Sequence, residues 1–154
     1  MPATAKARRL RRGNWRPGQI SAAFVLVAEA GVIVTSFTRG ADYLRQDNDT
    51  ASVLSRVQDS APLPLWGAAF ILAFAVVAVG MAGRWGTLVG AGHLLAGALY
   101  GGIAYGLLQE TGLGPGVRTP AGLFATSLIH GAFGLGTFAA LRQAEESEHP
   151  STPS

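Results

Sequence analysis

Apolar residues in this chain are gathered into four long runs rather than alternating or recurring in one amphipathic stripe. The runs are 20–37, 65–83, 86–108 and 121–141, and Glu29 is the single formal charge inside them. A helix needs about 20 apolar residues to cross ~30 Å of hydrocarbon, so each run is long enough to span a bilayer. The pattern predicts an all-α polytopic membrane protein with four transmembrane helices in a bundle. It divides the chain into a basic N-terminal segment, 1–19, a transmembrane domain, 20–141, with a 38–64 connector, and a tail, 142–154, expected to be disordered.

Composition narrows the class. Only 14% of the 154 residues are charged, against about 25% in an ordinary soluble domain, which rules out a soluble enzyme. The absence of Cys removes disulfides, thiolate metal sites and cysteine nucleophiles. The net charge of +3 does not point to nucleic acid. Six of the 12 basic residues (Lys6, Arg8, Arg9, Arg11, Arg12 and Arg16) stand directly before the first run, where they read as topology determinants drawn to the anionic inner leaflet.

Orientation follows from the same residues. With the N-terminus inside, inner segments hold eight Lys and Arg and outer segments hold four: Arg39, Arg45, Arg56 and Arg118. That excess predicts an N-in, C-in topology in the cytoplasmic membrane. Trp15, Trp66 and Trp85 at run edges, with Tyr105, suit interfacial anchoring. Ala28-Glu29-Ala30 imitates a signal-peptidase site, but the apolar run continues to Phe37, as expected of a span that stays.

The connector predicts a short helix capped by Asp49 and running to Gln58, with Val53, Leu54 and Val57 on one face. It would lie along the outer leaflet or cover the bundle, and Pro62 and Pro64 would end it. Ala82-Gly83-Arg84-Trp85 joins the second and third runs so tightly that they must form an antiparallel hairpin. The 111–116 segment reads as a Gly-Pro turn.

Glycine is the strongest internal signal. The third run contains Gly86, Gly90, Gly97 and Gly101 at spacings that keep them on one helical face, and Gly102 and Gly106 form a second pair. Lipid gives apolar helices little reason to associate, so close contact between small residues must hold them together. These six are the predicted helix-packing residues, serving either the chain's own bundle or a second copy.

Three ionisable residues fall within the runs: Glu29, His93 and His130. A carboxylate at the midplane costs ~2.5–3.5 kcal/mol even on lenient scales, so Glu29 is expected to face inward, with His130 as the partner at equal depth. The trio reads first as a polar lock fixing helix register. Proton relay and axial ligation of a haem iron by the two histidines are further readings. No loop assembles a nucleophile, base and orienting group. The chain is therefore read as non-enzymatic, with no catalytic residues, no metal and no resident cofactor.

The order of a basic start, Arg39-Gly40-Ala41-Asp42-Tyr43-Leu44, Pro64-Leu65-Trp66-Gly67, Gly92-His93 and His130 resembles small four-span membrane proteins of bacteriophages and prophages of high-GC Gram-positive bacteria. The resemblance covers about residues 12–142. It implies a membrane protein without assigned activity, or a holin that assembles in the host membrane and opens it, and it carries over no site residue. Two classes follow: a holin-type homo-oligomer that self-associates through its Gly-rich faces, and an accessory subunit of a larger membrane complex serving transport, respiration or phage exclusion.

Overall fold

The computed structural model describes residues 22–45, 54–112, 116 and 118–148. Five helices occupy them: α1 (Ala22–Arg45), α2 (Ser55–Ser60), α3 (Leu63–Gly83), α4 (Gly86–Thr111) and α5 (Arg118–Glu148). All except the short α2 are long and apolar enough to cross a membrane. The chain is therefore a multi-pass membrane protein of four helical spans, and its described residues contain no strand.

The spans alternate in direction. One end of the bundle carries the Arg84 turn and the close of α5; the other carries α2. They are called here the turn end and the α2 end. Each span packs chiefly on the next, α1 on α3, α3 on α4 and α4 on α5, whereas α1 and α5 touch only sparingly.

Local chemistry sets the boundaries. Pro62 flanks the start of α3 and Pro64 lies in its first turn, where a missing N–H leaves no helical bond unmade. At the other end Arg84 adopts a left-handed conformation, φ 57°. Its N–H donates to the Met81 carbonyl at 3.2 Å, and the Trp85 N–H donates to the Gly80 carbonyl at 2.8 Å. That paired arrangement closes the last carbonyls of a helix and reverses the chain, so α4 begins at Gly86 without a loop.

Helices outrun the apolar runs in two places. α1 continues past Phe37 to Arg45, because hydropathy marks where a helix leaves lipid and not where its backbone bonding stops. α5 carries on through Arg142 to Glu148, so the first half of the tail expected to be disordered is helical; 149–154 lie outside the described residues. A connector helix is present and runs past Gln58 to Ser60. Asp49 and Val53 lie outside the described residues, and α2 starts at Ser55 with Leu54 and Val57 buried. Those two side chains join the core, so α2 covers the end of the bundle.

Glycine contacts explain how close the spans lie. A Cβ on Gly40 would stand 2.9 Å from the Gly67 carbonyl oxygen, and one on Gly67 would stand 2.9 Å from that of Gly40. α1 and α3 therefore cross backbone to backbone. On α4, Gly86 faces Leu141, Gly90 faces Phe138, and Gly97 and Gly101 face Ser127, all on α5. Gly102 receives Trp66 of α3, and Gly106 receives Val57 of α2. All six helix-packing glycines thus serve neighbours in the same chain. Trp66 is likewise half-buried against Gly102 rather than free in the interface, while Trp85 is exposed beside the turn.

Candidate functional site

Heptad spacing assembles the interior. On α1, Ile33, Ser36, Gly40 and Tyr43 are the buried residues, and Glu29 lies one turn before them on the same stripe. On α4 the corresponding positions are His93, Ala96, Tyr100, Ile103 and Leu107. On α5 they are Leu123, His130 and Gly134, with Ser127 half-buried between them. The spacing places one carboxylate, two imidazoles and two hydroxyls at facing levels.

These groups form a continuous chain. Glu29 Oε1 lies 3.1 Å from His93 Nε2. His93 Nδ1 lies 2.9 Å from His130 Nδ1, and His130 Nε2 lies 3.4 Å from Ser36 Oγ. Both imidazoles are completely buried and Ser36 is 1% exposed, while the Glu29 side chain keeps 14% of its surface. The structure therefore brings Glu29, His93 and His130 together, but it corrects the expected pairing. Glu29 meets His93, not His130. α1 runs on past Phe37 to Arg45, which leaves Glu29 nearer the turn end than the apolar run implied, at the level of His93 in α4.

Proton positions follow from bonding capacity. With Glu29 ionised, its oxygen can only accept, so His93 carries its proton on Nε2. A neutral His93 then accepts at Nδ1, His130 donates from Nδ1, and His130 Nε2 accepts from the Ser36 hydroxyl. Every bond then points toward Glu29. Low polarity around such a chain strengthens each bond and raises the cost of breaking any one.

Aromatic rings fix the imidazole planes. Tyr100 stacks on His130 with centroids 5.4 Å apart and an 18° interplanar angle, and Phe133 stacks on His93 at 5.3 Å and 27°. The Tyr100 hydroxyl donates to Thr35 Oγ1 at 3.0 Å, and Thr35 donates to the Val32 carbonyl at 2.6 Å. That branch ends on the α1 backbone. Ser127 Oγ donates to the Gly97 carbonyl at 2.7 Å, locking α5 to α4 beside the chain. Ser36, Thr35, Tyr100 and Ser127 were not singled out from the sequence. Ser36 and Tyr100 lie seven residues from Glu29 and His93 respectively, and that spacing is the signal that finds them.

Haem ligation by the two histidines does not fit. Two iron–nitrogen bonds of about 2 Å each, placed trans, would hold the nitrogens ~4 Å apart, whereas here they meet at 2.9 Å between stacked rings. Among the described residues no group of three or more His, Cys, Asp or Glu is placed to hold a metal ion. Separately, an apolar groove of about 290 Å³ opens between α4 and α5 near the α2 end, lined by Gly101, Tyr105, Leu108, Pro120 and Phe124 among others. It holds none of the polar chain. No family model matches the sequence, and neither a curated protein nor a solved structure matches it.

Proposed function

We propose that this chain is a small, non-enzymatic integral membrane protein that handles protons, binding and releasing one inside the bilayer at Glu29 with His93 and His130 as its partners. The observation that carries this reading is the unbroken contact from carboxylate to imidazole to imidazole, at 3.1 and 2.9 Å. Ionisable residues within spans are costly and concentrate along proton and ion paths. A polar lock alone would need one hydrogen-bonded pair; here a titratable carboxylate, partly exposed, ends a row of two buried imidazoles. Infrared difference spectroscopy of the reconstituted protein tests it. Acidification should raise a protonated-carboxyl band that is missing in Glu29→Gln, and wild-type protein showing no such band across the accessible pH range would remove the reading.

A holin-type, self-associating role is the second reading, and one observation favours it. Ala132, Gly136 and Ala140 are exposed along one face of α5, and nothing lies within 4 Å of a Cβ placed on Gly136. Small residues at that spacing permit close helix approach. Self-association would then run through α5 rather than α4. Crosslinking of single-cysteine variants along this face tests it: bonded dimers from Ala132→Cys and Gly136→Cys support it, and monomers alone count against it.

A further inference from the structure

Resting on the proton-handling reading, we propose that the buried chain is open at one end only: Glu29 exchanges its proton with the turn end of the bundle, and the Ser36 end is sealed, so the protein binds a proton without passing it across.

The two ends of the chain differ in packing. Toward the turn end from Glu29, no described α1 side chain is buried. Glu29 itself keeps 14% of its side-chain surface, against none for His93. Toward the α2 end from Ser36, the interior closes. Tyr43, Phe70 and Tyr100 are 1%, 0% and 1% exposed and form successive edge-to-face pairs at 6.0 and 4.9 Å. Ile103 and Leu107 pack behind them, with Leu54 and Val57 as a cover. The Tyr43 hydroxyl, which reaches into this plug from α1, has no hydrogen-bond partner among the described residues, so it offers Ser36 no continuation. The hydroxyls of Tyr100 and Thr35 are committed to each other and to the Val32 carbonyl.

Proton bookkeeping agrees with a sealed end. Uptake adds one proton to Glu29 Oε2 and neutralises the carboxylate. Oε1 continues to accept from His93 Nε2, and neither imidazole changes the nitrogen that carries its hydrogen. Passage through the chain would demand more. His93 would give its Nε2 proton to Glu29 and take one at Nδ1 from His130. His130 would take the Ser36 hydroxyl proton at Nε2, and Ser36 would need a replacement from the α2 side, where none of the described residues donates to it. Among the described residues, the titratable groups facing Glu29 and its partners are His93 and Tyr100 from α4 and His130 from α5; α3 has none along its length. On α1, Arg39 lies over the Tyr43 ring at 5.8 Å, on the far side of Ser36.

The test uses the full chain in phosphatidylcholine–phosphatidylglycerol vesicles loaded with a pH-reporting dye, with an imposed pH gradient and a potassium–valinomycin clamp. Infrared spectra are taken on the same preparation, and ¹⁵N-histidine solid-state spectra identify which ring nitrogen holds each hydrogen. The expected result is a Glu29 carboxyl band that titrates, a proton leak equal to that of empty vesicles, and histidine hydrogens that stay in place. A leak above empty vesicles that Glu29→Gln abolishes, or a His130 hydrogen that moves to Nε2 as Glu29 titrates, overturns the sealed end while leaving proton handling intact. A wild-type carboxyl band that never titrates overturns both.

Discussion

The two halves of this bundle solve the same packing problem with opposite materials. Near the α2 end, α1, α3 and α4 meet through rings and aliphatic side chains, with Tyr43, Phe70, Ile103 and Leu107 all buried and α2 folded over them. Near the turn end α1, α4 and α5 meet through Glu29, His93 and His130, and α1 shows exposed side chains on most of its surface. In lipid, apolar burial gains nothing over lipid contact, so the first half depends on dispersion and shape, which need close fit. In the second half α4 stays close to α5 through Gly86 and Gly90, but α1 is held to them by directional bonds, which do not tolerate the loss of a partner. A membrane bundle can thus be rigid at one end and responsive at the other without any change in helix count.

Substitutions that treat the halves differently put this contrast at risk. The largest effect is expected from Phe70→Ala, which empties the centre of the plug. Cavities of that kind cost about 3–5 kcal/mol, and denaturant-driven unfolding in mixed micelles followed by circular dichroism should report a loss on that scale. A loss below that range would mean the α2 half is not the tight one. Next comes a pair of glycines on a single helix. Gly40→Ala pushes a methyl against the Gly67 carbonyl, at 2.9 Å, and should destabilise by about 1–3 kcal/mol. Gly31→Ala meets nothing within 4 Å and should stabilise by about 0.8–1 kcal/mol through helix propensity. Equal effects at the two positions would erase the difference between the halves.

Smaller changes sharpen it. A double-mutant cycle of Glu29→Gln and His93→Phe should give a coupling of about 1 kcal/mol, between the ~0.6 average and ~1.7 maximum for polar pairs in helical membrane proteins. A coupling of zero would show that their contact does not hold the turn end together. The least effect is expected from Ser127→Ala, about 0.6 kcal/mol, because Gly97 keeps its helical partner when the extra hydroxyl is removed. The same unfolding assay reads it.

The four spans were legible because a helix in lipid must be apolar over a fixed length, a constraint that leaves no freedom in the sequence. Helix ends were less so. Nothing about Thr38 to Arg45 is apolar enough to mark a span, yet the backbone of α1 continues through it, supported by the Gly40–Gly67 crossing. The inward role of Glu29, His93 and His130 follows from the cost of burying them elsewhere, but their order does not. Which imidazole receives the carboxylate depends on how α1 is shifted along α4, and that shift is set by the contact of two glycines whose partner is invisible in one dimension. The six packing glycines singled out on α4 illustrate the same limit. Their spacing defines a face suited to close approach, while the identity of the approaching helix depends on which neighbour arrives first.

Arrival order gives the Arg84 turn a consequence beyond geometry. A reversal this tight, with an uncharged α3 on one side, lets α3 and α4 enter the bilayer as one hairpin during synthesis. Each major contact then links a span to one already made, and contacts close in sequence favour rapid assembly. His130 belongs to the last span to emerge, so the His93 Nδ1 partner is the final piece to be supplied. Before α5 inserts, the imidazole of His93 faces lipid with one nitrogen unmet, a state costly enough to be avoided. The buried chain thus becomes whole only when α5 has joined α1 and α4.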